Sequence, residues 1–428
     1  MRPSSSAAMR CTAPMKAPSP PPTSPIRSFA IAPPSPNRNG RLNGRTPCAV
    51  NIRPELRCRP GWGRRGLGQE ALPSGDDSCG ARIPPLPADG VRVTMRKRIA
   101  VTLPAGPVLE DNIEVVRWAE DNGFDDAWFS DAMAPDSLTM VAAMVPHARR
   151  MRLGVAVTPV YTRTPAVLAA TANVLGQLLP GRFALGLGSS SQAIMERFNG
   201  IALEKPLTRV KETAIIVRSM LSGEKSNFDL TTLSSRGYSQ TPLEHAVPIF
   251  LAGLRPKMIE MAAEHGDGVV FNLWPRKALP RMLEHVKIGA ARAGKTLDDI
   301  EILNRSMVYV TDDIEDGRAR FRHHFAPYYA NPVYNDFLKW AGYEEEAQNV
   351  LDGWAARDRE KTTSSLTDEI VDEVAIIGTE EQVAERVKEQ AEAGIDTTIV
   401  APIGAPPPGP EEAKVTFQAF TSDRFRFD

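Results

Sequence analysis

Cysteine is absent from residues 95–428 of this chain. The four cysteines, which all lie in the first 94 residues, are not spaced as a CxxC pair or a metal-binding set; they are Cys11, Cys48, Cys58 and Cys79. Residues 95–428 therefore need no disulfide and carry no cysteine-ligated metal. This composition is compatible with the cytoplasm, which is the expected location.

Long apolar runs and metal-binding histidine motifs are also missing. No apolar run reaches 18 residues, so we predict no membrane span. The six histidines include no HExxH pair and no cluster, so we predict no metal site. No G-x-S-x-G motif is present either, and this argues against a serine nucleophile of the hydrolase type.

Acidic residues and apolar periodicity are scarce in residues 1–94. This segment has five acidic residues against 14 lysines and arginines, and 17 of the 37 prolines, so its net charge is about +9. Such a composition predicts disorder. It is typical of a transit peptide or of translated upstream sequence, and its arginine-over-lysine bias favours the second, with a start at Met95. The basic residues are scattered, which disfavours a nucleic-acid-binding arm.

From residue 98 onward, short apolar runs alternate with amphipathic stretches. The runs predict eight strands: Ile99–Leu103, Ala127–Ser130, Arg152–Thr158, Phe183–Leu187, Pro248–Leu251, Gly268–Phe271, Glu301–Val310 and Thr397–Ala401. Between them, helices are indicated by capping and periodic residues. One helix opens at Pro165, where Val167, Thr171, Val174 and Leu178 share a face, and another opens at a capping box of Thr379 and Gln382.

Alternating strands and helices imply parallel strands with helical crossovers. An open doubly wound sheet also fits the alternation, but the strand count and length favour a closed (β/α)8 TIM barrel over residues 95–404. Two insertions are expected, a hairpin or loop over a barrel mouth at 222–246 and a helical segment at 312–375. Residues 405–428 are predicted to form a tail with a short helix.

In such a barrel the chemistry sits where the strands end. Asp131 follows the second strand, where an acid can orient a cofactor, receive a proton or cap a loop. The run GLGSSS at 186–191 follows the fourth strand and is either a ligand-approach turn or an ordinary β–α turn. After the fifth strand, the sequence LAGLRPK places Arg255 and Lys257 at a helix start, which favours an anion site.

Six segments in this order resemble the luciferase-like flavin and coenzyme F420 oxidoreductases. They are VTLP at 101–104, WFSD at 128–131, GVAVTPVYTRTP at 154–165, GRFALGLGSS at 181–190, PIFLAGLRPKMIEMAAEHGDGVVFN at 248–272 and AIIGTEEQVAERVKEQAEAGID at 375–396. The resemblance implies a barrel with insertions, a cofactor across the mouth, a small-molecule substrate and a homodimer or higher oligomer.

The resemblance also implies where the cofactor lies. It predicts a non-proline cis peptide near Ala156-Val157 behind the ring system, and a phosphate at Gly253-Leu254 beside Lys257 and the GLGSSS turn. The implied cofactor-binding residues are Ala156, Val157, Thr158, Gly186, Gly188, Ser189, Ser190, Gly253, Leu254 and Lys257, with Asp131 as the catalytic candidate.

The turns TPVYTRTP and GLGSSS are similar to the F420-using branch, which includes the methylenetetrahydromethanopterin reductases. The resemblance thus implies hydride transfer between F420 and a small organic substrate. The alternatives are an FMN-dependent monooxygenase served by a separate flavin reductase, and a non-catalytic flavin-binding protein. Two positions depart from the family, because Ala132 stands where several members have histidine and Ser191 where some have glutamate.

Overall fold

The computed structural model describes residues 96–131, 134–404 and 409–427. The predictions for residues 1–94, the start at Met95, Ala132 and residues 405–408 therefore lie outside the described part of the chain.

The strands alternate with helices along nearly the whole described chain. In chain order the strands are β1 (Arg98–Leu103), β2 (Asp126–Phe129), β3 (Arg152–Pro159), β4 (Phe183–Gly188), β5 (Asn227–Asp229), β6 (Ser234–Arg236), β7 (Ile249–Ala252), β8 (Gly268–Asn272), β9 (Glu301–Val310), β10 (Ala375–Gly378) and β11 (Thr397–Pro402). The helices are α1 (Leu109–Asp121), α2 (Ser137–Met144), α3 (Pro165–Leu178), α4 (Pro206–Leu221), α5 (Pro256–His265), α6 (Leu279–Arg292), α7 (Ile314–Tyr329), α8 (Pro332–Trp340), α9 (Glu344–Ala356), α10 (Arg359–Ser364), α11 (Asp368–Val374), α12 (Glu380–Glu392) and α13 (Pro410–Phe417).

Eight parallel strands close into a barrel in the order β1-β2-β3-β4-β7-β8-β9-β11, with β11 returning to β1. The predicted (β/α)8 TIM barrel is confirmed, and each predicted strand matches an observed one within one or two residues. We call the end formed by the carboxyl ends of the strands the mouth, and the opposite end the floor. The crossover helices surround the barrel, as parallel pairing requires.

Strand β10 is missing from the sequence-based prediction. It pairs with the second half of β9, from Ala375 opposite Met307 to Gly378 opposite Val310, whereas β8 pairs with the first half of β9. The run Ala375–Gly378 is only four residues long, which is too short to show whether its apolar residues repeat with the period of a strand or of a helix. Its pairing depends on the unusual length of β9, which extends beyond the end of β8.

The insertion at 222–246 contains the antiparallel hairpin β5–β6. The hairpin is attached to α4. The Glu212 carboxylate of α4 accepts hydrogen bonds from the backbone N–H groups of Thr231 and Thr232 at 2.8 and 2.7 Å. Glu212 thus satisfies two donors of the turn and fixes the hairpin to the helix.

Helix α3 exposes one apolar face. The predicted stripe exists, but Val167, Val174 and Leu178 are 50%, 55% and 47% exposed, while Leu168 and Leu175 pack into the core. The helix sequence, PAVLAATANVLGQL, contains no charged residue. Apolar residues therefore cover both its inner face and part of its outer face, which is unusual for a surface helix.

The C-terminal residues belong to the barrel domain rather than to a separate tail. Helix α13 packs on α1, where the Phe417 ring lies 6.4 Å from Trp118 and 6.1 Å from Phe124. The backbone N–H of Ser422 donates to the Asn122 carbonyl at 2.9 Å. The folded unit therefore continues past residue 404.

The barrel interior is layered. Its middle is a small apolar cluster of Ala100, Trp128, Ala184, Phe250, Val270, Leu303 and Ile399, against which Ala156 and Val157 pack. Below it, the floor holds an ion network centred on Arg152. Because side chains alternate along each strand, the next inward positions above the middle layer form the mouth.

Candidate functional site

One wall of the mouth carries only small side chains. It is formed by the ends of three adjacent strands, β3, β4 and β7. Their inward residues at this level are Ala156, Val157, Gly186, Gly188 and Ala252. The Ala156-Val157 peptide is cis, at the position that the resemblance predicts. Such a wall leaves room for a flat ligand against it.

The two glycines of β4 make room for β3. A Cβ atom on Gly186 would lie 1.9 Å from the carbonyl oxygen of Val155, and one on Gly188 would lie 2.5 Å from Cγ2 of Val157. The β3–β4 register shifts between Val155 and Thr158, and the glycines accommodate this bulge. Their contribution to the site is therefore indirect, because they permit the shape of β3.

The hydroxyl groups predicted around this wall differ in orientation. Thr158 is fully buried, and its Oγ1 lies 3.4 Å from Oγ of Ser137, so its side chain is turned to α2. Ser190 has a φ of 62°, in the left-handed region, where the chain turns away from β4. Ser189 donates to the Ser190 carbonyl, and Ser191 Oγ accepts from the Ile194 N–H, so both hydroxyls have local partners.

The turn from β7 to α5 has the properties of an anion site. Gly253 is buried and its N–H donates to the Val270 carbonyl, while Leu254 is half-buried. Within the described ranges, no side chain caps the N-terminus of α5, and exposed Lys257 makes no hydrogen bond or ion pair. Arg255 instead pairs with Asp336 at 2.9 Å. Lys257 and the helix N-terminus are thus the groups open to an anion.

Asp131 lies at the mouth within an ion pair. Its Oδ2 is 2.8 Å from Nη1 of Arg163, and Arg163 also bonds Asp136. Burial acts to raise the pKa of Asp136, but hydrogen bonds from Thr139 and the charge of Arg163 outweigh it and lower that pKa. Arg163, which follows β3, therefore joins its own loop to the loop after β2, which contains both Asp131 and Asp136.

Sequence reasoning missed a polar side of the mouth. Arg305 of β9 is partly buried, with Nε 3.4 Å from Oγ1 of Thr102. Beside it, Nδ2 of Asn272 donates to the Tyr334 hydroxyl at 3.0 Å. Burial raises the pKa of Tyr334. The one signal in the sequence is the charged residue Arg305 within the β9 segment. It lies two residues after Leu303, so both side chains point to the same side of the strand.

Two aromatic residues that follow β8 or lie in α7 have structural roles. Trp274 is buried, and its Nε1 donates to Oδ1 of Asn304 at 2.7 Å, so it faces the helices outside the barrel. Tyr329 is buried, and its hydroxyl donates to the Leu273 carbonyl at 3.1 Å. This bond helps to hold Leu273, whose φ is 52°, where the chain leaves β8.

Two further classes of feature are absent from the described residues. In 96–131, 134–404 and 409–427, no three or more histidine, cysteine, aspartate or glutamate side chains are grouped as a metal site would require. None of the helices in the same ranges is long and apolar enough to cross a bilayer.

Comparisons with known proteins agree with this architecture. The sequence model of the luciferase-like monooxygenase family matches residues 91–397. A 5,10-methylenetetrahydromethanopterin reductase of Archaeoglobus fulgidus is 31% identical over 307 residues, which are 70% of this chain and 90% of that protein.

Two solved structures share the fold. The coenzyme F420-dependent tetrahydromethanopterin reductase of Methanopyrus kandleri superposes with a TM-score of 0.64 at 19% identity, covering 77% of this chain and all of that one. A type II Baeyer–Villiger monooxygenase of Pseudomonas putida in complex with FMN gives a TM-score of 0.56 at 18% identity, covering 78% and 100%. The chain belongs to the luciferase-like monooxygenase family and is an oxidoreductase.

Proposed function

We propose that this protein transfers a hydride between coenzyme F420 and a small organic substrate. The observation that carries the proposal is the shape of the mouth, where a wall of small side chains adjoins a turn with an open helix N-terminus and an unpaired lysine. F420 is a planar deazaflavin with a phosphate-containing tail, and it supplies two-electron hydride transfer when bound. The residues present fit such a group.

In this proposal each part of the cofactor has its own residues. The planar ring lies against Ala156 and Val157, with Gly186 and Gly188 maintaining the bulge behind it. The phosphate is bound beside the Gly253-Leu254 turn by the uncapped N–H groups at the start of α5, since the Gly253 N–H already donates to the Val270 carbonyl. The Lys257 ammonium, Ser189 and Ser190 lie near it; this turn and the end of β4 are adjacent because β4 pairs with β7. Thr158 contributes through its backbone, since its hydroxyl is turned to α2.

We propose that Asp131 orients groups at the mouth. Its carboxylate is fixed by Arg163, and this ion pair connects the loops after β2 and β3, which flank the ring site. A carboxylate held in this way fixes the position of a hydrogen-bond donor on the ligand, or of the loop that follows β3.

The preference for F420 over FMN rests on the relatives. The relative that is 31% identical is a 5,10-methylenetetrahydromethanopterin reductase, and the structure with a TM-score of 0.64 is a coenzyme F420-dependent tetrahydromethanopterin reductase. The FMN complex of the Baeyer–Villiger monooxygenase supports the alternative cofactor. If FMN is used, reduced flavin has to be delivered by a separate reductase, and oxygen becomes a co-substrate.

A titration of the full chain with F420 and with FMN tests the proposal. We expect F420 to bind with micromolar or tighter affinity and FMN to bind at least tenfold more weakly, as measured by fluorescence. Tight FMN binding together with substrate-dependent oxygen uptake would establish the monooxygenase instead. Binding of neither cofactor would refute both assignments.

We further propose that the protein forms a homodimer through α3. The helix is free of charge and exposes Val167, Val174 and Leu178 along one line. In a twofold dimer the same surface meets itself, and an uncharged apolar stripe is self-complementary in this way.

A further inference from the structure

Arg305 has no counter-ion in the barrel. Its Nε contacts Thr102 and its Nη1 lies 3.6 Å from Sδ of Met307, but no carboxylate of the described residues is within 4 Å of it. Arg152 on the floor, by contrast, is paired with both Asp126 and Glu301 at 2.6 Å. A guanidinium that is partly buried at the mouth without a counter-ion is less favourable than a paired one, and it is available to a ligand that supplies the missing charge.

One unsatisfied polar atom lies beside Arg305. Asn272 is directly opposite it in the β8–β9 register. The amide of Asn272 and the hydroxyl of Tyr334 bond to each other, but the Oδ1 atom of Asn272 is buried without a partner among the described residues. Because buried polar atoms are nearly always satisfied, this atom also indicates a missing hydrogen-bond partner.

Aromatic rings border the same place. Tyr334 packs edge-on against Tyr328 and Tyr329, with ring centroids 5.9 and 6.2 Å apart, and Tyr328 is 46% exposed. A ligand bound by Arg305 therefore has an apolar surface available for the rest of its body.

The position of Arg305 separates it from the cofactor wall. In the ring of eight strands, β9 stands four strands from β3 in either direction, so Arg305 faces the small-residue wall across the mouth. This step rests on the proposed function, which places the cofactor ring against β3 and leaves the opposite side for the substrate.

We infer that Arg305, Asn272 and Tyr334 form a substrate-recognition site for a small organic acid. The carboxylate pairs with the Arg305 guanidinium, a hydroxyl of the acid bonds to the Asn272 and Tyr334 pair, and the apolar body packs on the tyrosines. A guanidinium is planar and matches a carboxylate with two parallel hydrogen bonds.

A carboxylate fits this site better than a phosphate ester. The ionisable groups that act on Arg305 are the hydroxyls of Tyr328 and Tyr334, and burial lowers the pKa of the guanidinium. No carboxylate of the described residues lies within 4 Å of Arg305, so the site holds one positive charge. A single negative charge balances it, whereas a dianion would leave one charge buried and uncompensated.

Calorimetric titration of the full chain tests this site, with and without F420 present. The probes are mandelate, the neutral mandelamide and the dianionic phenyl phosphate. We expect mandelate to bind at least tenfold more tightly than either of the other two. Arg305→Met should reduce mandelate affinity at least tenfold and leave F420 affinity within twofold. Arg281→Met is the matched control, because Arg281 is exposed on α6 and contacts the Trp340 ring outside the barrel.

Three outcomes would overturn the inference. They are equal affinities for mandelate and mandelamide, tighter binding of phenyl phosphate, and a loss of F420 affinity in Arg305→Met with mandelate unaffected. If F420 does not bind the wild type but mandelate still requires Arg305, the proposed cofactor is wrong and the carboxylate site stands. A thermal melt of Arg305→Met shows whether the variant is folded. Its melting temperature should not fall, since the substitution removes an unpaired charge.

Discussion

Arg152 and Asp126 meet at the floor of the barrel, with Nη2 2.6 Å from Oδ2, and the Asp126 side chain is completely shielded from solvent. Arg98 also pairs with Asp126, and the Arg152 guanidinium lies 5.2 Å from the centre of the Trp128 ring. Burial acts to raise the pKa of Asp126, but the two guanidinium groups outweigh it and lower that pKa. The network lies at the end of the barrel opposite the mouth, where a stabilising role is expected.

We predict that Asp126→Asn strongly destabilises the protein. Removal of one member of a buried ion network leaves uncompensated charges and costs about 3–5 kcal/mol. Urea unfolding at pH 7 measures the effect. Asp121→Asn is the control, because Asp121 forms an exposed pair with Arg149 and should change stability by about 0.5 kcal/mol or less. Equal effects of the two substitutions would contradict the assignment.

The stability difference between wild type and Asp126→Asn should depend on pH in one direction. Because the pKa of Asp126 is lowered on folding, its stabilisation is present above the unfolded pKa of about 3.9 and is lost as the pH falls further. The urea midpoints of the two proteins should therefore differ by a constant amount above the unfolded pKa and should draw closer as the pH falls below it toward pH 3. A difference that stays constant over this range would exclude ionised Asp126 as the cause.

The β4 glycines give a further prediction. Gly186→Ala should destabilise the protein and reduce cofactor affinity, because its Cβ would lie 1.9 Å from the backbone oxygen of Val155, which cannot move without shifting β3. Gly188→Ala should be milder, since its Cβ meets the movable Val157 side chain. Thermal melts and F420 titrations check both. Gly409→Ala is the control, because a Cβ at that position would meet no atom within 4 Å beyond its chain neighbours.

The periodic parts of the fold were predictable from the sequence. The eight barrel strands have apolar runs between helices, and caps such as Thr379 mark the helix ends, where the structure shows the capping box. The short run at Ala375–Gly378 was missed because its partner, the second half of β9, is 65 or more residues away in sequence. Local patterns contain no information about such pairing.

The candidate site was only partly predictable. The small-residue wall and the Lys257 turn follow strand ends, so they could be located from motifs. Arg305 and Asn272 lie within strands, and only the register shows that they face the mouth side by side. Tyr334 comes from the helical insertion, which has no recognisable motif. Its place beside Asn272 depends on the packing of α8.

Lys257 is predicted to bind the cofactor phosphate. Lys257→Ala should weaken F420 affinity about tenfold, or ~1.4 kcal/mol, and should reduce the salt dependence of binding. Fluorescence titration at two ionic strengths measures both effects. Lys287→Ala is a suitable control, since Lys287 pairs with Glu284 on the outer surface of α6. Unchanged affinity in Lys257→Ala would place the phosphate elsewhere.

Asp131 is predicted to act through the loop that Arg163 holds. Asp131→Asn should lower F420 affinity or turnover at least tenfold while shifting the melting temperature by only a few degrees. Asp136→Ala removes the other carboxylate on Arg163 and also the N-cap of α2, so it should mainly reduce stability. If both variants lose stability and activity in the same proportion, Asp131 has only the structural role of its neighbour.

The exposed face of α3 supplies the prediction about assembly. Val174→Asp should convert a dimer to a monomer, because it places a charge at the centre of the apolar stripe. Sedimentation velocity measures the mass of each form, and Val415→Asp is the control, since Val415 is 62% exposed on α13, away from α3.

Two further results test the dimer proposed through α3. A wild type that is monomeric at micromolar concentration would refute the dimer, and a dimer that survives Val174→Asp would place its interface on another surface. If the stripe does bury itself in this way, Val174→Asp should leave the melting temperature of the monomer unchanged, because in the isolated chain the aspartate is simply solvated.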